Sequence, residues 1–328
     1  MPQVSVIIPC YNEEKTIRLL LEAIHAQTYP TAQMEVVIAD GMSTDGTRAQ
    51  IAAFQADYPD LAVRVIDNNA RTIPAALNRA IESAQGEYIV RLDAHSVPRP
   101  DYVERSVAGL QAGKGANVGG VWEIKPRGAG WMAESIAIAA AHRLGVGDAS
   151  YRYTDQAQSV DTVPFGAFRK AFALEIGGYD ESLLTNEDYE FNTRVRQSGG
   201  VVWLDPQIRS TYFARPNLAA LAKQYWRYGF WKVRMLRRYP ATIRWRQALP
   251  PVFVLSLLVL GLAALWLPAA RWLFILEVVS YSLILLAVGM QTALTKRKLA
   301  TMIGVPLAIA TMHICWGGAF LWSLLAKK

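Results

Sequence analysis

Val4-Ser5-Val6-Ile7-Ile8-Pro9-Cys10-Tyr11-Asn12-Glu13 is an apolar run that breaks abruptly into polar residues. It is too short for the apolar region of a secretory signal and reads as a buried strand. Working outward, Val36–Ala39, Ala62–Ile66 and Tyr88–Leu92 are further short apolar runs with strand composition. Between them lie helical patterns. Glu13–Ala26 places Ile17, Leu20, Leu21 and Ile24 on one face after Asn12, a candidate N-cap, and Asp45–Ala56 and Ile73–Ala84 behave alike. Strand–helix alternation predicts an α/β fold with a mostly parallel sheet and helices on both faces. Ligands of such sheets bind at the carboxyl ends of the strands. That rule selects Asn12-Glu13, Asp40 and Asp93, which end the first, second and fourth strands.

The chain has 328 residues, 52% of them apolar and only 19% charged. This excludes a disordered chain and argues against a purely soluble one. The net charge of +7 is unevenly spread. Residues 1–215 carry 20 Lys/Arg against 26 Asp/Glu, whereas residues 216–328 carry 14 against Glu277 alone. Basicity confined to the apolar third is a membrane-topology signal, so nucleic-acid binding is excluded as a reading. The two cysteines, Cys10 and Cys315, do not form a disulfide framework, which fits a reducing compartment.

Three stretches near the C-terminus are long enough to cross a bilayer. Gln247–Ala270 and Leu299–Ala326 lack charge, and Trp272–Thr295 holds only Glu277. They predict spans at about 248–268, 272–294 and 301–325. Residues 1–215 are then the N-terminal α/β domain and 216–246 a basic, aromatic interfacial segment. Lys232, Arg234, Arg237, Arg238, Arg244 and Arg246 precede the first span, and Lys296-Arg297-Lys298 joins the second to the third. The positive-inside rule puts both on the cytoplasmic side and the C-terminus outside, although Lys327-Lys328 pull the other way. Glu277 is expected near the outer face, with its carboxylate reaching water. Trp131 to His142 encloses a small-residue apolar helix, Met132–Ala141, that is either core or a membrane-facing groove.

Four motifs carry the chemistry: the Tyr11-Asn12-Glu13 strand end, Asp40-Gly41-Met42-Ser43-Thr44-Asp45-Gly46-Thr47, Asp93-Ala94-His95, and Asn186-Glu187-Asp188. Their order and spacing over about residues 3–230 resemble the family-two inverting glycosyltransferases of the GT-A fold. Within that family, Asn78 through Asp93-Ala94-His95 to Gly119-Gly120-Val121-Trp122 is similar to the membrane-bound glucosyltransferases of succinoglycan biosynthesis.

The resemblance implies roles. Pro9, Tyr11, Glu13, Asp40 and Asp93 become donor-nucleotide residues, with Asp40 accepting from uracil or ribose and Asp45 a turn residue. Asp93 and His95 stand where the family has an Asp-x-Asp metal motif. In an extended chain, positions i and i+2 share a side, so both would reach one divalent cation. Imidazole in place of the second carboxylate tilts the ion towards Mn²⁺ over Mg²⁺. Asp188 matches the family's general base, which takes the proton of the acceptor hydroxyl, with Glu187 beside it. Gln224, Arg227 and Tyr228 resemble the Gln-x-x-Arg-Trp motif that meets acceptor and diphosphate, and the same segment also fits a helix lying on an anionic bilayer.

The expected function is transfer of a sugar from a nucleotide-diphosphate sugar, UDP favoured, to a lipid-linked sugar at the cytoplasmic face of the cell membrane. A polyprenyl-phosphate glycosyltransferase and a processive polysaccharide synthase are rival enzymes. A non-catalytic nucleotide-sugar-binding scaffold is the rival of another class.

Overall fold

The computed structural model describes residues 1–326. Lys327 and Lys328, which bear on the expected position of the C-terminus, lie outside the described residues. The chain divides into two compact units. Unit one is Met1–Glu123 with Tyr153–Tyr212; unit two is Ile124–Arg152 with Phe213 onward. The segment 124–152 groups with the C-terminal helices.

Unit one is built on β1 (Val4–Cys10), β2 (Met34–Asp40), β3 (Ala62–Asp67) and β4 (Tyr88–Arg91), crossed by α1 (Ile17–His25), α2 (Thr47–Asp57) and α3 (Ile73–Ser83). β1 pairs in parallel with β2 and β4, and β2 with β3. The remaining elements are β5 (Val97–Pro98), α4 (Tyr102–Gln111), β6 (Asn117–Pro126), β7 (Gln158–Ser159), β8 (Ala167–Arg169), α7 (Lys170–Glu175), α8 (Glu187–Gln197) and β9 (Val202–Ala214); α5 and α6 belong to unit two. The sheet runs β3-β2-β1-β4-β8-β6-β9-β5 with β7 on β9, so a parallel half continues into an antiparallel one at β4–β8. Val4, Val6, Ile8, Val36 and Ile38 pack with Ile17, Leu20, Leu21, Ile24 and Phe54 in one core. Gly120 is obligatory: a Cβ there would run into the backbone carbonyl of Ile208.

At their amino ends the four parallel strands share a buried polar staple. Ser5 Oγ donates to Glu35 Oε1 at 2.6 Å and accepts from Gly86 N–H. Glu35 also accepts from Gln85 N–H and, through Oε2, from Arg64 Nη2 at 2.9 Å. Burial alone would raise the Glu35 pKa, but these donors overturn it and hold the carboxyl below its ordinary value.

Unit two contains α5 (Trp131–Ala141), α6 (Arg143–Val146), α9 (Leu218–Arg238), α10 (Trp245–Ala263), α11 (Pro268–Lys296) and α12 (Thr301–Leu325). The last three are the candidate membrane helices. α10 and α11 form a hairpin in which Gly261 lies against Phe274, and α11 turns onto α12 with Gly289 against Met302 and Pro306. α5 and α6 cover the start of α12: Gly304 meets Ser135 and Trp131, Gly145 meets Met312, and the Leu144 carbonyl lies 2.8 Å from His313 Nε2. The apolar helix 131–141 is therefore protein core. Glu277 departs from expectation. α11 starts at Pro268, which sets Glu277 about 13 Å along the helix, and its carboxylate meets Ser256 of α10 instead of water.

The staple predicts a pH-dependent stability. A carboxyl with a depressed native pKa stabilises above its unfolded value and loses that contribution as pH falls through the native one. Glu35→Gln should cost about 1.5–3 kcal/mol at pH 7, the scale of hydrogen bonds to a charged group. Thermal unfolding of the detergent-purified protein from pH 7 down to pH 3 should show the gap to wild type closing below about 4.5, the ordinary carboxyl value.

Candidate active site

The site forms where the carboxyl ends of β1, β2 and β4 meet the start of α8. The loop after β1 is stitched to the loop after β2. Asn12 takes a left-handed conformation (φ 53°), its N–H donates to Ser43 Oγ, and its Oδ1 accepts Thr44 N–H at 2.8 Å. Glu13 N–H donates to Thr47 Oγ1 at 2.8 Å. Asn12 is thus a loop clamp and not the N-cap expected from sequence; α1 begins later, after Thr16. Tyr11 is half exposed and covers Gly41, where a Cβ would press on its ring. Pro9 is buried inside β1 opposite Ala39 and sets the strand's path, with no surface to offer a ligand.

Asp40 is fully buried. Its oxygens accept from Ser43 Oγ at 2.5 Å, Ser43 N–H at 3.1 Å and Arg48 Nε at 2.6 Å. All of these donors belong to the protein, and Asp40 anchors Arg48, whose Nη2 reaches Asp67. Asp45 keeps its expected turn role, accepting from Thr47 N–H and Oγ–H at the start of α2. Cys10 lies beneath this corner. Burial, reinforced by the negative charge of Asp40, Glu13 and Asp45, pushes its thiol well above its ordinary pKa.

Asp93-Ala94-His95 is not extended. Ser96 N–H and Oγ–H both donate to the Asp93 carbonyl, at 2.9 and 2.7 Å, so the motif is a turn beyond β4. Strand alternation therefore does not explain the pairing of Asp93 with His95. His95 Nδ1 lies 3.0 Å from Glu13 Oε1. A carboxylate there can accept from an Nδ1–H, the kind of outer partner that metal-binding imidazoles use. Among the described residues no group of three or more His, Cys, Asp or Glu makes a cage. With Asp93 and His95 as its only protein ligands, a bound ion would have to complete its shell with substrate oxygens or water, as Mg²⁺-type ions on phosphates do.

The residue that sequence reasoning missed is Arg91. It is 1% exposed. Nη2 lies 3.1 Å from Asp93 Oδ1 and 3.3 Å from Glu187 Oε1, while Nη1 bonds Asp188. Its carbon sits 5.7 Å from the Tyr179 ring. Burial works against its charge, but Asp93 and Glu187 outweigh that and hold its pKa above the ordinary value. Burial, opposed by the same guanidinium, pushes the Tyr179 phenol up to about 12. An arginine within the apolar run Tyr88-Ile89-Val90, two residues before an acid, was the available signal.

Asn78 sets the approach to α8, exchanging hydrogen bonds with both the N–H and the carbonyl of Tyr179 at 2.7 and 2.9 Å. Gly178 (φ 65°) leaves the room Asn78 needs. Asn186, left-handed at φ 68°, then starts α8, so Glu187 and Asp188 occupy its first turn. Gln224, Arg227 and Tyr228 lie on α9 in unit two, where Gln224 Nε2 donates to Tyr228 Oη at 2.9 Å. A cavity of about 470 Å³ also belongs to unit two, between Gly128–Trp131 and Lys298–Thr301, and holds none of these acids.

A twisted sheet with acids gathered on its carboxyl edge, joined to three long apolar helices, defines a membrane-associated glycosyltransferase of the GT-A type. The chain belongs to glycosyl transferase family 2, whose model matches residues 5–176. It is 30% identical to the succinoglycan biosynthesis protein ExoA of Rhizobium meliloti over 98% of this chain and 94% of that protein. It is 29% identical to the dolichyl N-acetyl-α-D-glucosaminyl phosphate 3-β-D-2,3-diacetamido-2,3-dideoxy-β-D-glucuronosyltransferase of Methanococcus voltae, over 79% and 82%. Among solved structures it is similar in fold to the mannosyltransferase PcManGT of Pyrobaculum calidifontis, in complex with GDP-Man and Mn²⁺ (TM-score 0.64, 24% identity, 95% of this chain and 87% of that one). It is also similar to residues 1–349 of S. aureus TarS in complex with UDP-GlcNAc (TM-score 0.52, 16% identity, 96% and 90%).

The environment of Cys10 is directly testable. At pH 8 an alkylating reagent should leave it unmodified in the folded protein and modify it after denaturation, read on its peptide by mass spectrometry.

Proposed function

We propose that the protein transfers a sugar, with inversion, from a nucleotide-diphosphate sugar (UDP favoured) to a lipid-linked acceptor at the cytoplasmic face of the membrane. The observation that carries this is the gathering of Asp93, Glu187 and Asp188 around Arg91. Asp188 is 30% exposed and sits in the first turn of α8, able to receive the proton of an incoming hydroxyl. Asp93 and His95 hold a divalent cation, Mn²⁺ or Mg²⁺, which when bound offsets the charge of the departing diphosphate. Tyr11 and Arg48 stand at the nucleotide edge, and Glu13 orients His95. Exopolysaccharide or glycolipid assembly is the setting of this transfer, supported by relatives named for succinoglycan biosynthesis and for transfer to a dolichyl phosphate sugar. The cationic stretches at 232–246 and 296–298 support a cytoplasmic catalytic unit.

Asp188→Asn preserves size and hydrogen bonding but removes the proton acceptor. Turnover should drop at least about 100-fold, the lower range of positioned general-base catalysis, with nucleotide-sugar affinity unchanged. Near wild-type turnover of the folded variant would end the assignment. Asp93→Asn should instead weaken metal-dependent donor binding and turnover together.

Arg91 gives an opposite-signed pair of readouts. It shares Asp93 with the cation, so Arg91→Met should raise Mn²⁺ affinity about fivefold, the low end of coupling between linked sites, while turnover falls. Arg91→Lys keeps the charge and should leave Mn²⁺ affinity near wild type. Electron paramagnetic resonance of free Mn²⁺ measures both. Weaker Mn²⁺ binding in a folded Arg91→Met would show that Arg91 supports the metal ligand and does not compete for it.

A further inference from the structure

We propose that α12 does not cross the membrane but lies, with α9, in the plane of the cytoplasmic leaflet, a two-helix layer whose partner is the lipid headgroup region. This rests on the reading that α10 and α11 cross as a hairpin. α9 carries Lys223, Arg227, Lys232, Arg234, Arg237 and Arg238 and no acid, so hydrocarbon cannot solvate it along its length. It reaches α10 through residues 239–244, six positions that include a 3₁₀ turn at Pro240–Thr242. Even fully extended they reach about 20 Å, less than the roughly 30 Å hydrocarbon core. The end of α9 and the start of α10 therefore share a side.

The end of α12 is held at that place. Arg237 Nη2 donates to the Ser323 carbonyl at 3.2 Å, and Ser323 Oγ donates to the Phe230 carbonyl at 2.8 Å. Gly229 packs on the backbone of Trp316, where any side chain would collide. Ser323 is two residues from the end of the helix. Because α10 leaves this side and α11 returns to it, α12 also begins there. A helix that starts and ends on one side does not cross.

The burial of α12 agrees. Some 39% of its most apolar window is buried within the protein, against 11% for α10 and α11. Of its strongly exposed apolar residues, Ile303, Leu307, Ile314 and Leu325 fall on one face at helical spacing, with Leu324 and Trp322 flanking it on either side, as for a helix lying in an interface. Its apolarity is otherwise matched by α5, α6, α9 and α10.

Cysteines introduced one at a time in a Cys315→Ser background, which keeps the buried Cys10, test the arrangement. In intact cells, a membrane-impermeant maleimide should label Trp266→Cys, in the α10–α11 turn, and should label Ala326→Cys only after lysis. Labelling of both in intact cells overturns the in-plane α12 and restores three crossings. Protection of Trp266→Cys in intact cells, with labelling on lysis, overturns the hairpin itself and the proposal with it. A C-terminal green fluorescent protein fusion of the unaltered chain covers variants that misfold: fluorescence is expected, and a full-length dark fusion overturns the proposal.

Discussion

A guanidinium sealed from water and shared by three carboxylates is the constraint around which unit one is arranged. A lone buried charge is so costly that Arg91 can exist there only with its partners in place. Those partners come from a turn after β4 and from a helix almost a hundred residues later, so the ion cluster ties the parallel half of the sheet to α8. The same cluster brings a metal-ligand candidate and a base candidate to one group. The proposed chemistry and the fold thus draw on one set of contacts, and Asn78 and Gly178 set the approach that delivers α8 to it.

The two ends of the parallel strands use charge differently. At the amino ends Glu35, Ser5 and Arg64 are mutually satisfied and close the sheet, an arrangement suited to stability. At the carboxyl ends and the facing start of α8, Asp93, Glu13 and Asp188 keep part of their side-chain surface exposed beside a histidine or arginine. Asp40 belongs physically to the first kind although it sits at the second end. Hydrogen-bonded and buried, it fixes the direction of Arg48.

The strands, the three long apolar helices and the acids Asp93, Glu187 and Asp188 were legible because period, length and local motif report them. What escaped was set by partners distant in sequence. Arg91 reads as an ordinary strand residue until α8 arrives. Asn12 reads as a cap until the loop after β2 supplies Thr44. Asp93-Ala94-His95 reads as extended because periodicity cannot see Ser96 folding back on the Asp93 carbonyl. Glu277 reads as an interfacial acid because Ser256 lies on another helix. Apolar length alone likewise cannot separate a helix solvated by lipid from one buried against α5 and α9.

The placement of α5 and α6 in unit two has a consequence for biogenesis. Ser135 finds Gly304 about 170 residues later in the chain. During synthesis β9 completes the catalytic sheet before α10 has been made, whereas α5 must wait for the last helix of the described chain. Over the last third of translation the nascent protein therefore carries a finished sheet while the apolar α5, which lies between β6 and β7 in the chain, still lacks its α12 partner. That helix is the part of the molecule most in need of a chaperone or of early contact with the bilayer, and α12 is the element whose arrival ends the need.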